Sequence, residues 1–130
     1  MKKYLSLFIL GIILIACSEQ NEATIGQYTT IEVDSVFDAG TVAKGEIIKA
    51  NIKVKNTGDY PLVIANVKGA CSCTVTEYEE DPIPPGESIF IKAEVDTDKT
   101  GKGLINKSVS IMANTRPSLT KVIIKSKVID

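Results

Sequence analysis

The chain predicts an all-β, immunoglobulin-like antiparallel sandwich of about seven strands. Three observations lead there. From Ser18 onward the chain holds 14 Ile, 11 Val and 11 Thr against three Leu. β-Branched side chains stiffen extended backbone and fit a pleated surface, whereas helical cores favour Leu. Apolar residues then recur at every second position over several stretches, which is the period of a half-buried strand. Clusters of Gly, Pro, Asn and Asp fall between those stretches. A small barrel is the alternative arrangement of the same strands.

Taken in order, Thr29–Val36 is a short strand candidate. Ile48, Ala50, Ile52 and Val54 alternate with Lys49, Asn51, Lys53 and Lys55 and make the second. Asn56-Thr57-Gly58-Asp59 reads as a turn, and Leu62–Val67 and Cys71–Thr76 as two further short strands. Pro82-Ile83-Pro84-Pro85-Gly86 cannot be a central strand, because three of its residues lack an amide donor. Ile89, Ile91, Ala93 and Val95 alternate with Phe90, Lys92 and Glu94. After a turn-rich Asp96–Gly103, residues Ile105, Val109, Ile111 and Ala113 share one face, with Lys107 in phase. Val122, Ile124 and Val128 finally oppose Lys121, Lys125 and Lys127. The predicted core is Ile52, Val54, Ile91, Val95, Ile111 and Ile124. No Trp and no widely spaced Cys pair are present, so the antibody type of sandwich is excluded.

The N-terminus carries an address. Lys2 and Lys3 precede an apolar run, Leu5–Ala16, that is too short to span a bilayer. Leu14-Ile15-Ala16-Cys17 then resembles the bacterial lipobox. There the Cys thiol takes a diacylglyceryl group, the signal is cut before it, and the new N-terminus is acylated, with palmitate as an expected chain. Residues 1–16 are thus expected to be a lipoprotein signal peptide. Residues 17–28 would be the lipidated Cys17 and a polar tether, and 29–130 the folded domain. Several acyl chains on one residue give lasting membrane attachment. Ser18 after the Cys, by resemblance to bacterial sorting rules, points to the outer membrane rather than the inner one. The processed chain would hold thirteen basic and sixteen acidic residues, a net −3.

Phe37-Asp38-Ala39-Gly40, Gly45-Glu46, Asn56-Thr57-Gly58-Asp59, Pro61-Leu62-Val63-Ile64, Cys71-Ser72-Cys73-Thr74, Pro85-Gly86-Glu87, Gly103 and Asn114 occur in that order. As a set, from Phe37 to about Val128, they resemble a bacterial family of exported Ig-like domains. This is the domain of unknown function 1573, akin to the Hydin and ASPM modules. The resemblance implies the fold and a place in the cell envelope, and it implies no activity. The sequence departs from the family pattern at Ala39, where Phe is usual, and at Ser72, where Gly is usual.

The absence of His removes every Ser-His, Cys-His and His-metal constellation. The near-neutral charge gives no reason to expect nucleic-acid binding. The chain is therefore expected to be a non-catalytic envelope module without cofactor. It would be held to the membrane by its lipid and would bind or support another envelope protein. The alternative uses the thiol pair Cys71 and Cys73 for redox chemistry or for a soft metal such as Cu(I). In a regular strand these residues would face one side with Cα atoms about 6.5–6.8 Å apart, at the limit for a disulfide. Side-by-side thiols near a strand end, or at most a labile bridge, are expected.

Three charged groupings complete the reading. Asp96-Thr97-Asp98-Lys99-Thr100-Gly101 is similar to the start of a calcium loop, but its twelfth position is Lys107 and no helices are expected around it. Glu77, Glu79, Glu80 and Asp81 read as a solvated loop. Lys121, Lys125 and Lys127 read as protection of an exposed sheet edge.

Overall fold

The computed structural model describes residues 26–130; Cys17 and the export segment lie outside the described residues. Eight strands follow one another: β1 (Ile31–Val33), β2 (Val36–Ala43), β3 (Ile47–Asn56), β4 (Ile64–Gly69), β5 (Thr74–Glu77), β6 (Ser88–Asp96), β7 (Gly103–Ala113) and β8 (Leu119–Ile129). They form two open four-stranded sheets, in the orders β1-β3-β6-β5 and β2-β8-β7-β4. The architecture is the expected sandwich and not a closed barrel.

The alternating sequence pattern is what closes it. Along β3, β6, β7 and β8 every second side chain turns inward, and the apolar ones form one core; Lys107 and Ser126 are polar residues in phase with it. Ile52, Val54, Ile91, Val95, Ile111 and Ile124 all belong to it and are buried. Leu62 and Ile83 close it at one end, held by paired backbone bonds, Leu62 N to Ile83 O and Ile83 N to Leu62 O, each 2.9 Å.

The strand beyond the expected seven is β2. The reading placed one strand at Thr29–Val36. The chain instead makes β1, crosses to the other sheet, and makes β2. There it pairs in parallel with β8 while every other pairing is antiparallel. The inward residues Phe37, Ala39 and Val42 are only partly buried, because β2 is an edge strand.

The sandwich has two poles. At the first, β3 and β7 end, β6 and β8 begin, and the chain arrives through Tyr28 and Thr29. At the second, β2, β6 and β8 end and β3 and β7 begin. N- and C-terminal ends of the described chain thus lie at opposite poles.

Candidate binding face

The inner faces of the two sheets are alike, but their outer faces are not. On the first sheet, opposite charges stand directly across from one another: Glu32 with Lys55, Lys49 with Glu94, and Lys92 with Glu77; exposed Ile47 and Phe90 share that face, Phe90 opposite Lys53. On the outer face of the second sheet, Lys68, Lys121, Lys125 and Lys127 are exposed and Asp38 is the acidic counterpart, opposite Lys125. That face also carries exposed Val36, Leu104, Met112, Leu119 and Ile129. Met112 and Leu119 are directly paired across β7 and β8, and Val36 is paired with half-buried Ile123. Leu104, at 83% exposure, stands opposite Lys127. A monomeric sheet face of Lys and large apolar side chains gains nothing from water over its apolar part, which is the usual mark of a surface that meets something.

A bulge in β2 makes this face concave. Between Asp38 and Thr41 the register with β8 shifts by one residue. Gly40 takes a φ of +69°, which a side chain would resist. Two bonds hold the bulge: Gly40 N donates to Asp38 Oδ1 at 2.8 Å, and Ser126 Oγ donates to Gly40 O at 2.9 Å. The resulting groove is lined by Asp38, Thr41, Leu104, Asn106, Lys125 and Lys127.

The lysines predicted to guard an edge do not do so. β8 lies between β2 and β7, so Lys121, Lys125 and Lys127 project from the middle of the sheet. The alternation correctly put them on the wet side; it carries no information about which strand is the neighbour.

The turn after β6 is a 3-10 turn, Thr97–Lys99. Its carbonyls already have a cation: Lys44 Nζ donates to the oxygens of Thr97, Asp98 and Thr100 at 3.2, 3.3 and 3.0 Å. Asp96 caps the turn through Asp98 N and pairs with Lys99 at 3.6 Å. These groups serve the fold at the second pole. Glu77 closes β5, while Glu79, Glu80 and Asp81 are exposed in the loop that follows.

Cys71 and Cys73 lie in the turn that carries the chain from β4 in the second sheet to β5 in the first. They form a disulfide, with Cα atoms 5.2 Å apart. The turn, and not a strand, brings them together. In the bridged form neither sulfur is a thiolate, so a soft metal would require prior reduction.

Two motif residues, buried Asn56 and half-buried Asn114, are polar hubs. Asn56 is fully buried, and its amide accepts from Thr29 Oγ1 at 2.7 Å and Gly58 N at 3.1 Å. It donates to the carbonyls of Tyr60 and Ile83 at 2.7 and 2.9 Å. Asn114 accepts from Val63 N at 2.8 Å and donates to the carbonyls of Gln27 and Pro61. Gly58 has no room for a side chain: a Cβ there would sit 2.7 Å from Thr30 N. The polar tip of an Asn is what lets loops be buried at the first pole without orphaned backbone groups.

Residues 30–128 match the family described as "Protein of unknown function (DUF1573)". The chain belongs to this family. No curated protein matches the chain. Among solved structures, a protein of unknown function from Porphyromonas gingivalis W83 is similar at 26% identity and a TM-score of 0.69. The match covers 80% of this chain and 49% of that one, so the chain spans about half its length. The secreted serine protease VesC of Vibrio cholerae is similar at 12% identity and a TM-score of 0.60, over 77% of this chain and 23% of that one. The ASH/PapD-like domain 7 of human CEP192 is similar at 10% identity and a TM-score of 0.57, over 93% and 96%. The last two likenesses concern the fold alone, a sandwich of the Ig-like and PapD-like kind.

Proposed function

We propose that the protein is a lipid-anchored component of the bacterial envelope that works by binding, not by catalysis. Its partner would be another envelope protein with an acidic surface, met by the outer face of the second sheet. The carrying observation is the charge contrast between the two faces: on the first, lysines are largely matched by facing acids, while on the second four exposed lysines face a single Asp38 beside exposed apolar side chains and a groove. A cationic face on a chain of net −3 steers an acidic partner to one side of the molecule. The lipobox at Leu14–Cys17 supports the anchor and the envelope location. Cys17 and Gly26 are nine residues apart, so the tether reaches roughly 30 Å at full extension. The first pole would then lie near the membrane and the face would stand beside it, open laterally.

Photocrosslinking in intact cells tests the binding reading. A photoreactive residue at Leu104 should give a discrete protein adduct, and one at Phe90 on the first sheet should not. The Leu104 adduct should disappear in Lys125→Glu/Lys127→Glu. Equal adducts from Phe90, an adduct untouched by the double change, or adducts to lipid alone would each overturn the reading. The anchor is tested separately: Cys17→Ser should leave a soluble or unprocessed form. Cleaved Cys17→Ser protein bound to membranes as tightly as the parent would refute it.

A further inference from the structure

We infer that the Cys71–Cys73 bridge is a thiol–disulfide exchange site that accepts electrons from an exposed thiol of another molecule, by attack on Cys71. The inference stands apart from the binding face and uses different residues. The bridge sits on the perimeter of the sandwich, where the chain changes sheets. Its two sulfurs are not equivalent. Ser72 is exposed and Cys71 half-buried, whereas Cys73 is 3% exposed and belongs to the core. An incoming thiolate therefore reaches Cys71 and not Cys73.

Burial in the core disfavours charge on Cys73, so its departure relies on one polar neighbour. Thr74 Oγ1 lies 3.7 Å from Cys73 Sγ and 3.9 Å from Cys71 Sγ, so its hydroxyl can turn toward the sulfur that takes up charge. The backbone holds both residues whatever the sulfurs do. Asp96 N donates to Cys73 O at 2.8 Å, and Thr74 N donates to Cys71 O at 3.2 Å. Gly69 fixes Thr74 in turn, since a Cβ on Gly69 would fall 2.6 Å from Thr74 Cβ. A bridge two residues apart closes so short a loop that little chain entropy depends on it. The fold therefore survives reduction, and the two thiols stay in reach of each other for reoxidation.

The exchange balances as follows. A partner thiolate attacks Cys71 Sγ; the Cys71–Cys73 bond breaks, a partner–Cys71 bond forms, and Cys73 leaves as a thiolate that takes a proton. A second partner thiolate attacks the partner's own sulfur in that mixed disulfide and expels Cys71 as a thiolate, which is protonated in turn. The partner dithiol has become a disulfide, and two electrons and two protons have passed to Cys71 and Cys73.

The test uses the full chain with Cys17→Ser, so that all thiol readouts report this pair. The oxidised protein is exposed briefly to reduced glutathione under native conditions, quenched in acid, alkylated with iodoacetamide and mapped by peptide mass. Glutathione is expected on Cys71 and the alkyl group on Cys73, in about a tenfold excess over the reverse. Dithiothreitol should reduce the pair with the circular dichroism spectrum unchanged. Thr74→Val should slow the glutathione reaction about fivefold, the rate equivalent of one lost hydrogen bond. A bridge that reacts only in urea, glutathione found chiefly on Cys73, or a Thr74→Val rate equal to the parent's would overturn the proposal.

Discussion

The two sheets share a design on the inside and diverge on the outside. Inward, both are lined chiefly by Ile, Val and Ala in alternation, with half-buried Lys107 and buried Ser126 as polar interruptions in the second sheet. Outward, both sheets expose some large apolar side chains, but the first matches most of its lysines with facing acids, while the second carries four lysines against Asp38 and has Leu104, Lys125 and Lys127 lining a groove. Opposite charges facing one another across an exposed sheet add at most tenths of a kcal/mol each, so the first pattern serves solubility more than stability. The second pattern serves neither, and that is why it reads as a surface kept for a partner. Shared inner pattern reports fold; unshared outer pattern reports use.

Four experiments would break or sharpen this contrast. Core truncation should be the largest effect and should be blind to which sheet carries it. Ile91→Ala in the first sheet and Ile124→Ala in the second should each lower unfolding free energy by about 2–4 kcal/mol in urea. A marked difference between them would deny that the two sheets share one core. Asn56→Ala should come next, at about 2–3 kcal/mol, because it strands the Thr29 hydroxyl, Gly58 N and two carbonyls in a buried site. A loss under about 0.5 kcal/mol would mean that water replaces the amide. Lys125→Glu with Lys127→Glu should change the unfolding free energy by less than about 0.5 kcal/mol yet abolish the Leu104 adduct. Smallest of all, Lys49→Ala and Lys92→Ala should stay within about 0.5 kcal/mol and leave that adduct intact. Loss of the adduct there would erase the distinction between the faces.

The legibility of the chain follows the same division. Alternation identifies a strand and its wet side, so the core and the four long strands β3, β6, β7 and β8 were readable from it. It does not identify neighbours. That is why Lys121, Lys125 and Lys127 read as an edge although β8 is internal, and why the parallel partner of β2 could not be found. β2 itself was hidden by Asp38 and Gly40, which interrupt the pattern at the bulge. Asn56 read as a turn former because burial of a polar residue depends on partners far along the chain. The bridge was misjudged in geometry because regular strand spacing was assumed where the backbone turns, giving 5.2 Å between Cα atoms. One sign of the candidate face was present in the sequence. Leu104, Met112 and Leu119 occupy wet positions of an otherwise orderly alternation, and weighing them against the lysines would have pointed to that sheet.

The parallel pairing of β2 with β8 has a mechanical side. Both strands run from the first pole to the second, and six residue pairs join them. If the chain is tethered at its N-terminal end and a load is applied at its C-terminal end, the two strands are pulled past each other along their length. Their hydrogen bonds then bear the force together as a shear clamp instead of opening one by one like a zipper, so the last strand also acts as the latch that resists extension.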